Sequence, residues 1–155
     1  MKPVPRAWLL ALALVPGTLA AQVRREWQVM GVALASRPAV GVLGVGANWR
    51  DRGRTRIGVS LAGGATDDGR GAARAEAVWH FSLDPTRRHG WGVYGGGGLA
   101  VGVIEQDHVR PWVQAVLGVE SRPGGSGGFF IEGGFGGGAR VAAGWRWRKQ
   151  NAPGR

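Results

Sequence analysis

His80 and Ser82 stand two residues apart, a spacing that can bring an imidazole base and a hydroxyl nucleophile onto one face of a strand. Glu76 or Glu120 can orient the imidazole. Asp67, Asp68, Glu105, Asp107 and His108 form a second group, suited to a divalent cation if two turns meet. The same residue types are common turn formers, and no metal site is assigned to them. A third group comprises Arg56, Arg74, Glu76, His80, Arg110, Glu120, Glu132, Arg140 and Arg146. Charges of both signs there can line a pore, relay protons or pair with one another. Pairing is preferred, because an unpaired buried charge costs several kcal/mol. The runs Gly41 to Gly46 and Gly95 to Gly98 have the composition of phosphate loops but not the setting: a phosphate loop needs a helix behind it, and strand patterns continue through both.

The elements that position these groups follow a period of two. In 72–83, Ala73, Ala75, Ala77, Trp79, Phe81 and Leu83 alternate with Arg74, Glu76, Val78, His80 and Ser82. One face is apolar and the other mostly polar, which is a strand between two different surroundings. The pattern recurs in 25–35, 39–49, 56–66, 91–104, 109–120, 128–136 and 139–148. Turn signals separate the segments, among them Asp51-Arg52-Gly53, Asp67-Asp68-Gly69 and Gly136-Gly137-Gly138. Eight strands of about 10 residues joined by hairpins can close a small barrel, and strands of that length can cross a bilayer.

The 155 residues suit one domain, and the absence of cysteine excludes disulfides, thiol chemistry and lipid-modified cysteine. Residues 1–21 read as a signal peptide: Lys2 and Arg6, an apolar run from Trp8, then small residues ending at Ala20 and Ala21. The barrel then occupies 22–149, and 150–155 form a short tail. A formal charge of +10 invites a nucleic-acid reading, but an exported chain without a basic recognition helix argues against it.

Alternation alone leaves open which face looks outward. A lipocalin-like soluble barrel turns its apolar residues in, and a membrane barrel turns them out. Three features favour the second. The polar face is rich in Gly and Ala, which leaves a narrow lumen room for a few long side chains. Trp27, Trp49, Trp79, Trp91, Trp145 and Trp147 all fall on the apolar face toward the end that holds both termini, as in an interfacial girdle. Arginines crowd that same end, where they can meet anionic headgroups.

Strand number, alternation, the Trp girdle and an aromatic-rich last strand, Val141 to Trp147, resemble the small eight-stranded outer-membrane β-barrel proteins of the OmpA and OmpX type. The resemblance covers the whole chain. It implies an all-β, antiparallel up-and-down transmembrane barrel after a signal-peptide helix, in the outer membrane of a Gram-negative-type bacterium. It further implies lipid contact and recognition of the last strand by the outer-membrane assembly machinery. Arg148 to Arg155 follow the final aromatic, a departure from the pattern, and the short loops argue against adhesion. The His-x-Ser pair is similar to that of outer-membrane lipid A deacylases, although Leu83-Asp84 replaces the Asn-Ala that follows in that family.

The expected function is therefore structural or membrane-stabilising. A monomer without cofactor or enzymatic activity is expected, its lumen plugged by Arg74, Glu76, Arg110, Glu120, Glu132, Arg140 and Arg146. A lipid A-modifying enzyme using His80 and Ser82 and a soluble periplasmic ligand-binding barrel are the alternatives.

Overall fold

The computed structural model describes residues 24–51, 55–87, 89–105 and 108–148. The expected signal peptide, the 150–155 tail and Asp107 lie outside the described residues. The alternating segments form β1 (Arg24–Ala35), β2 (Val40–Arg50), β3 (Thr55–Thr66), β4 (Gly71–Ser82), β5 (Trp91–Ile104), β6 (Arg110–Ser121), β7 (Gly127–Phe135) and β8 (Ala139–Arg148). Each pairs antiparallel with its neighbour in sequence, and β8 returns to β1, giving a closed up-and-down barrel. Closure satisfies the backbone of the two strands that would otherwise form open edges.

Register keeps one parity throughout. Val29 pairs with Val45, Val45 with Leu61, Ile57 with Trp79 and Val93 with Val119, and Trp27 pairs with Trp147 at the closure. Every hairpin thus joins residues whose numbers add to an even value. Because side chains alternate along a strand, all even positions point into the lumen and all odd ones out. Each large hydrophobic residue exposed on the barrel is odd-numbered, from Trp27 to Trp147, and each buried residue is even-numbered, from Glu26 to Arg148.

The glycine content follows from the narrow bore. Inward Cβ atoms of eight strands converge, and a strongly coiled strand brings its neighbour's backbone into the Cβ position. A Cβ on Gly44 would lie 2.6 Å from the Leu61 carbonyl oxygen, and one on Gly98 would collide with the Ala77 carbonyl. Outward Gly41 and Gly133 have open space there instead. One sector of the interior is apolar: Met30, Val32, Leu34, Val42, Phe130 and Ala142 cluster on the inner faces of β1, β2, β7 and β8. The sequence reading of a polar, glycine-lined interior did not include this cluster.

Candidate functional site

The lumen is filled by charged side chains from seven of the eight strands, all but β5. Near the end that holds the termini, Glu120 on β6 receives Arg50 at 2.7 Å, Arg56 at 3.0 Å, and Arg146 and Arg148 at 2.8 Å each. Glu26 on β1 lies beside the same group, 3.1 Å from Arg50 and 3.3 Å from Arg148. Farther along the axis, Glu132 on β7 accepts hydrogen bonds from Arg140 at 3.0 Å and from the Tyr94 hydroxyl at 2.9 Å. Arg140 also reaches Glu76 at 3.0 Å, and Glu76 holds Arg74 at 2.6 Å. Arg74 in turn donates to the Gln114 side-chain oxygen at 3.1 Å.

These contacts form an alternating ladder along the axis: Glu120, Arg146, Glu132, Arg140, Glu76, Arg74. Arg146 is the rung between the two halves, 2.8 Å from Glu120 and 3.6 Å from Glu132. Rings fill the spaces beside it. The Arg146 guanidinium sits 4.2 Å from the Phe130 ring centre, and that of Arg56 sits 4.7 Å from the Tyr94 ring. Glycine makes room for this packing: a Cβ on Gly118 would lie 2.7 Å from the Tyr94 ring and 2.9 Å from the Glu132 side chain. Four buried carboxylates face five buried guanidiniums, with Arg50 a partly exposed sixth, so the interior carries excess positive charge.

The structure brings together Arg74, Glu76, Glu120, Glu132, Arg140 and Arg146 of the expected network. Arg110 has the inward parity and is the first residue of β6, exposed at the mouth opposite the termini. Glu132 shares the middle of the barrel with Glu76, and Arg140 bridges the two. Sequence reasoning missed Glu26, Gln28, Asn48, Arg50, Tyr94, Gln114 and Arg148 as network members. Their even numbering was the available signal, and Gln28 accepts from both Asn48 and Arg146 at 3.0 Å.

Among the described residues, neither of the other two candidate groups assembles as its chemistry requires. His80 is buried between the Tyr94 ring and Glu132, whose oxygen lies 3.7 Å from Nε2. Neither ring nitrogen makes a hydrogen bond, so no base is engaged with the Ser82 hydroxyl. The Asp68 carboxylate is occupied by Arg70 at 2.8 Å and by the Thr66 hydroxyl, while Glu105 accepts the Gly71 N–H at 3.2 Å. Among the described residues, no cluster of three or more His, Asp or Glu is arranged to hold a metal.

The six expected girdle tryptophans all project outward, from Trp49 at 39% exposed to Trp27 at 64%. All lie in the half of the barrel nearer the termini. Trp27 faces Trp147 across the closure, and Trp145 faces Val29 two residues farther up.

An apolar exterior around a charged interior in a closed antiparallel barrel defines the class of this fold. The barrel superposes on the N-terminal β-barrel domain of Pseudomonas aeruginosa OprF with a TM-score of 0.64, at 13% identity over 83% of this chain and 100% of that one. Neisserial surface protein A (NspA) gives a TM-score of 0.54 at 11% identity, over 81% of this chain and 94% of that one. A de novo designed transmembrane β-barrel gives 0.53 at 14% identity, over 80% and 95%. At these identities the likeness is one of fold. No family model and no curated protein matches the sequence.

Proposed function

We propose that the protein is an outer-membrane β-barrel with a structural, membrane-stabilising role and a lumen closed by its ion-pair ladder. One observation carries this reading: the side-chain distribution is inside-out for water. Arg146 is fully buried at 0% exposure, while Val113 on the outer wall is 79% exposed. A continuous apolar exterior of that kind matches lipid, and charge inside a narrow lumen matches a barrel that must neutralise what it encloses. A soluble ligand-binding barrel would present Val113, Leu43 and Phe135 to water, so the same distribution argues against it.

The fold likeness to a surface protein and to a designed transmembrane barrel supports the placement. The tryptophan belt lies at one membrane interface, and Arg24, Arg25, Arg87 and Arg122 at that end meet anionic headgroups of the periplasmic leaflet. Residues 1–21 direct export and are removed. The last strand is the segment read by the assembly machinery, and the barrel works as a monomer. Nothing in the geometry of His80 and Ser82 favours an enzyme.

Membrane fractionation and an unheated SDS gel test this reading. The protein is expected in the outer-membrane fraction and to migrate as a compact species until boiled, because opening the barrel in an apolar medium exposes unpaired backbone. A soluble monomer without detergent would overturn it.

A further inference from the structure

We propose that the half of the lumen nearer the termini holds one small inorganic anion of halide size, seated against Arg56. The charges are unequal along the axis. In the far half Arg74 and Arg140 are matched by Glu76 and Glu132. Nearer the termini Arg50, Arg56, Arg146 and Arg148 face only Glu26 and Glu120. Four guanidiniums against two carboxylates leave an excess of two positive charges, in a narrow lumen where an unbalanced charge is costly.

No other acid of this end makes up the difference. Asp84 is held by the Thr86 hydroxyl at 2.9 Å and by Arg87 at 3.2 Å. Asp51 is exposed beyond the end of β2 and has its own partner. The undescribed stretches at this end, 1–23, 52–54, 88 and 149–155, contain no Asp or Glu.

Hydrogen bonding shows the same shortage of acceptors. Glu120 already receives four guanidiniums, about the acceptor capacity of one carboxylate. Arg56 is buried, its Nη1 donates to Glu120 at 3.0 Å, and its guanidinium sits 4.7 Å from the Tyr94 ring centre. Its Nε and Nη2 make no hydrogen bond, and neither do Arg146 Nη2 and Arg148 Nε. A halide carries the missing charge and accepts from several donors at once, which water cannot match in charge.

Space exists beside Arg56. A cavity of about 30 Å³ lies between the ends of β2, β3 and β4 and the β6–β7 loop, lined by Arg56, His80, Ser82 and Tyr94 among others. One water needs about 10–15 Å³ of such space, so the cavity admits a halide and excludes organic anions. Arg56 is fixed by Glu120 and Tyr94 before any ion arrives, which leaves more of the contact energy for binding. The site is read from the charge and packing of the closed barrel, so its failure is distinguishable from failure of the plug, which conductance decides.

The test follows the arginine Nε–H NMR signals of the ¹⁵N-labelled full chain in zwitterionic micelles, as sodium chloride replaces sodium sulfate at constant ionic strength. The Arg56 signal, identified by its loss in Arg56→Lys, is expected to shift and to saturate with chloride and with bromide. Glu26→Gln removes a negative charge beside Arg56 and should tighten chloride binding about tenfold, a direction that damage to the barrel would not produce. Ser82→Leu fills the cavity and should abolish the shift, its fold checked by the heat-shift gel. If that variant does not fold, Ser82→Val must have the same effect. Absence of a saturable shift in the wild type, weaker binding in Glu26→Gln, or a shift that survives the filled cavity each overturns the proposal.

Discussion

Replacing Glu132 removes one rung from the middle of the ladder. In the wild type its carboxylate is 3.0 Å from Arg140 and 3.6 Å from Arg146, and it accepts the Tyr94 hydroxyl at 2.9 Å. Unit charges about 4 Å apart attract by about 4 kcal/mol at an effective dielectric of about 20. The interior already holds more guanidiniums than carboxylates, so the loss adds to an existing imbalance. Glu132→Ala should cost about 3–5 kcal/mol, the usual penalty for stranding one partner of a buried pair, unless water enters. Glu132→Gln keeps the shape and an acceptor for Tyr94, and so isolates the charge. Urea unfolding in lipid vesicles, followed by tryptophan fluorescence, reads the first outcome. Planar-bilayer recording reads the second, as conductance in the variants where the wild type shows none. An unchanged urea midpoint together with unchanged conductance in Glu132→Gln would refute the ladder as the element that holds the lumen closed. A large, steady conductance in the wild type would refute the plug itself.

Gly98→Val should prevent folding, because its Cβ meets the backbone of Ala77 and Val78, whereas Gly41→Val, with open space outside, should fold normally. The heat-shift gel compares them. The Asp68 carboxyl is held down at about 2 by hydrogen bonds from Arg70 and Thr66. A depressed carboxyl stabilises the β3–β4 turn above its unfolded pKa and ceases to do so as pH falls through the folded one. The Arg70 side-chain N–H should therefore lose its NMR protection between about pH 4 and pH 2, and protection that is flat across that window would contradict the assignment. Bromine placed near the lipid headgroup should quench the belt tryptophans more than bromine at the acyl-chain end; the reverse order would remove the interfacial girdle. His80→Ala and Ser82→Ala should leave outer-membrane lipid composition unchanged by mass spectrometry, and loss of a lipid A modification in either would restore the enzyme reading.

Strand positions were legible because the period of two runs almost unbroken, and each observed strand lies within one residue of its expected ends. Parity also sorted Arg74, Glu76, Glu132, Arg140 and Arg146 to the inside. What parity cannot give is height along the axis, which depends on strand tilt and stagger at closure. Arg110 illustrates the loss: its face was right, yet its place at the strand end put it at the mouth. In β1 the inward set runs Glu26, Gln28, Met30, Val32 and Leu34, so the strand changes from polar to apolar along one face. Averaged over the strand, that face gives no clear signal, and both the Glu26 contacts and the Met30 to Leu34 cluster went unread. The partners across the lumen, such as Arg140 with Glu76, are 64 residues apart, and only the closed geometry brings them together.

The constant parity of the hairpins has a consequence for how such a chain can grow or be rebuilt. Each hairpin hands the chain on with its inner and outer positions in phase, so a hairpin behaves as an interchangeable module. Duplicating or excising a pair of strands at matched positions leaves the faces of every later strand correct, and only the bore and the axial contacts need to be renegotiated. Loop lengths can likewise change by two residues at a time with no compensating change elsewhere. A single-residue insertion must be swallowed by its own turn or by a bulge. Otherwise it would turn Trp145 and Trp147 inward and Arg146 outward. Length variation among functional descendants of this barrel should accordingly fall in the turns, in even steps or in whole hairpins.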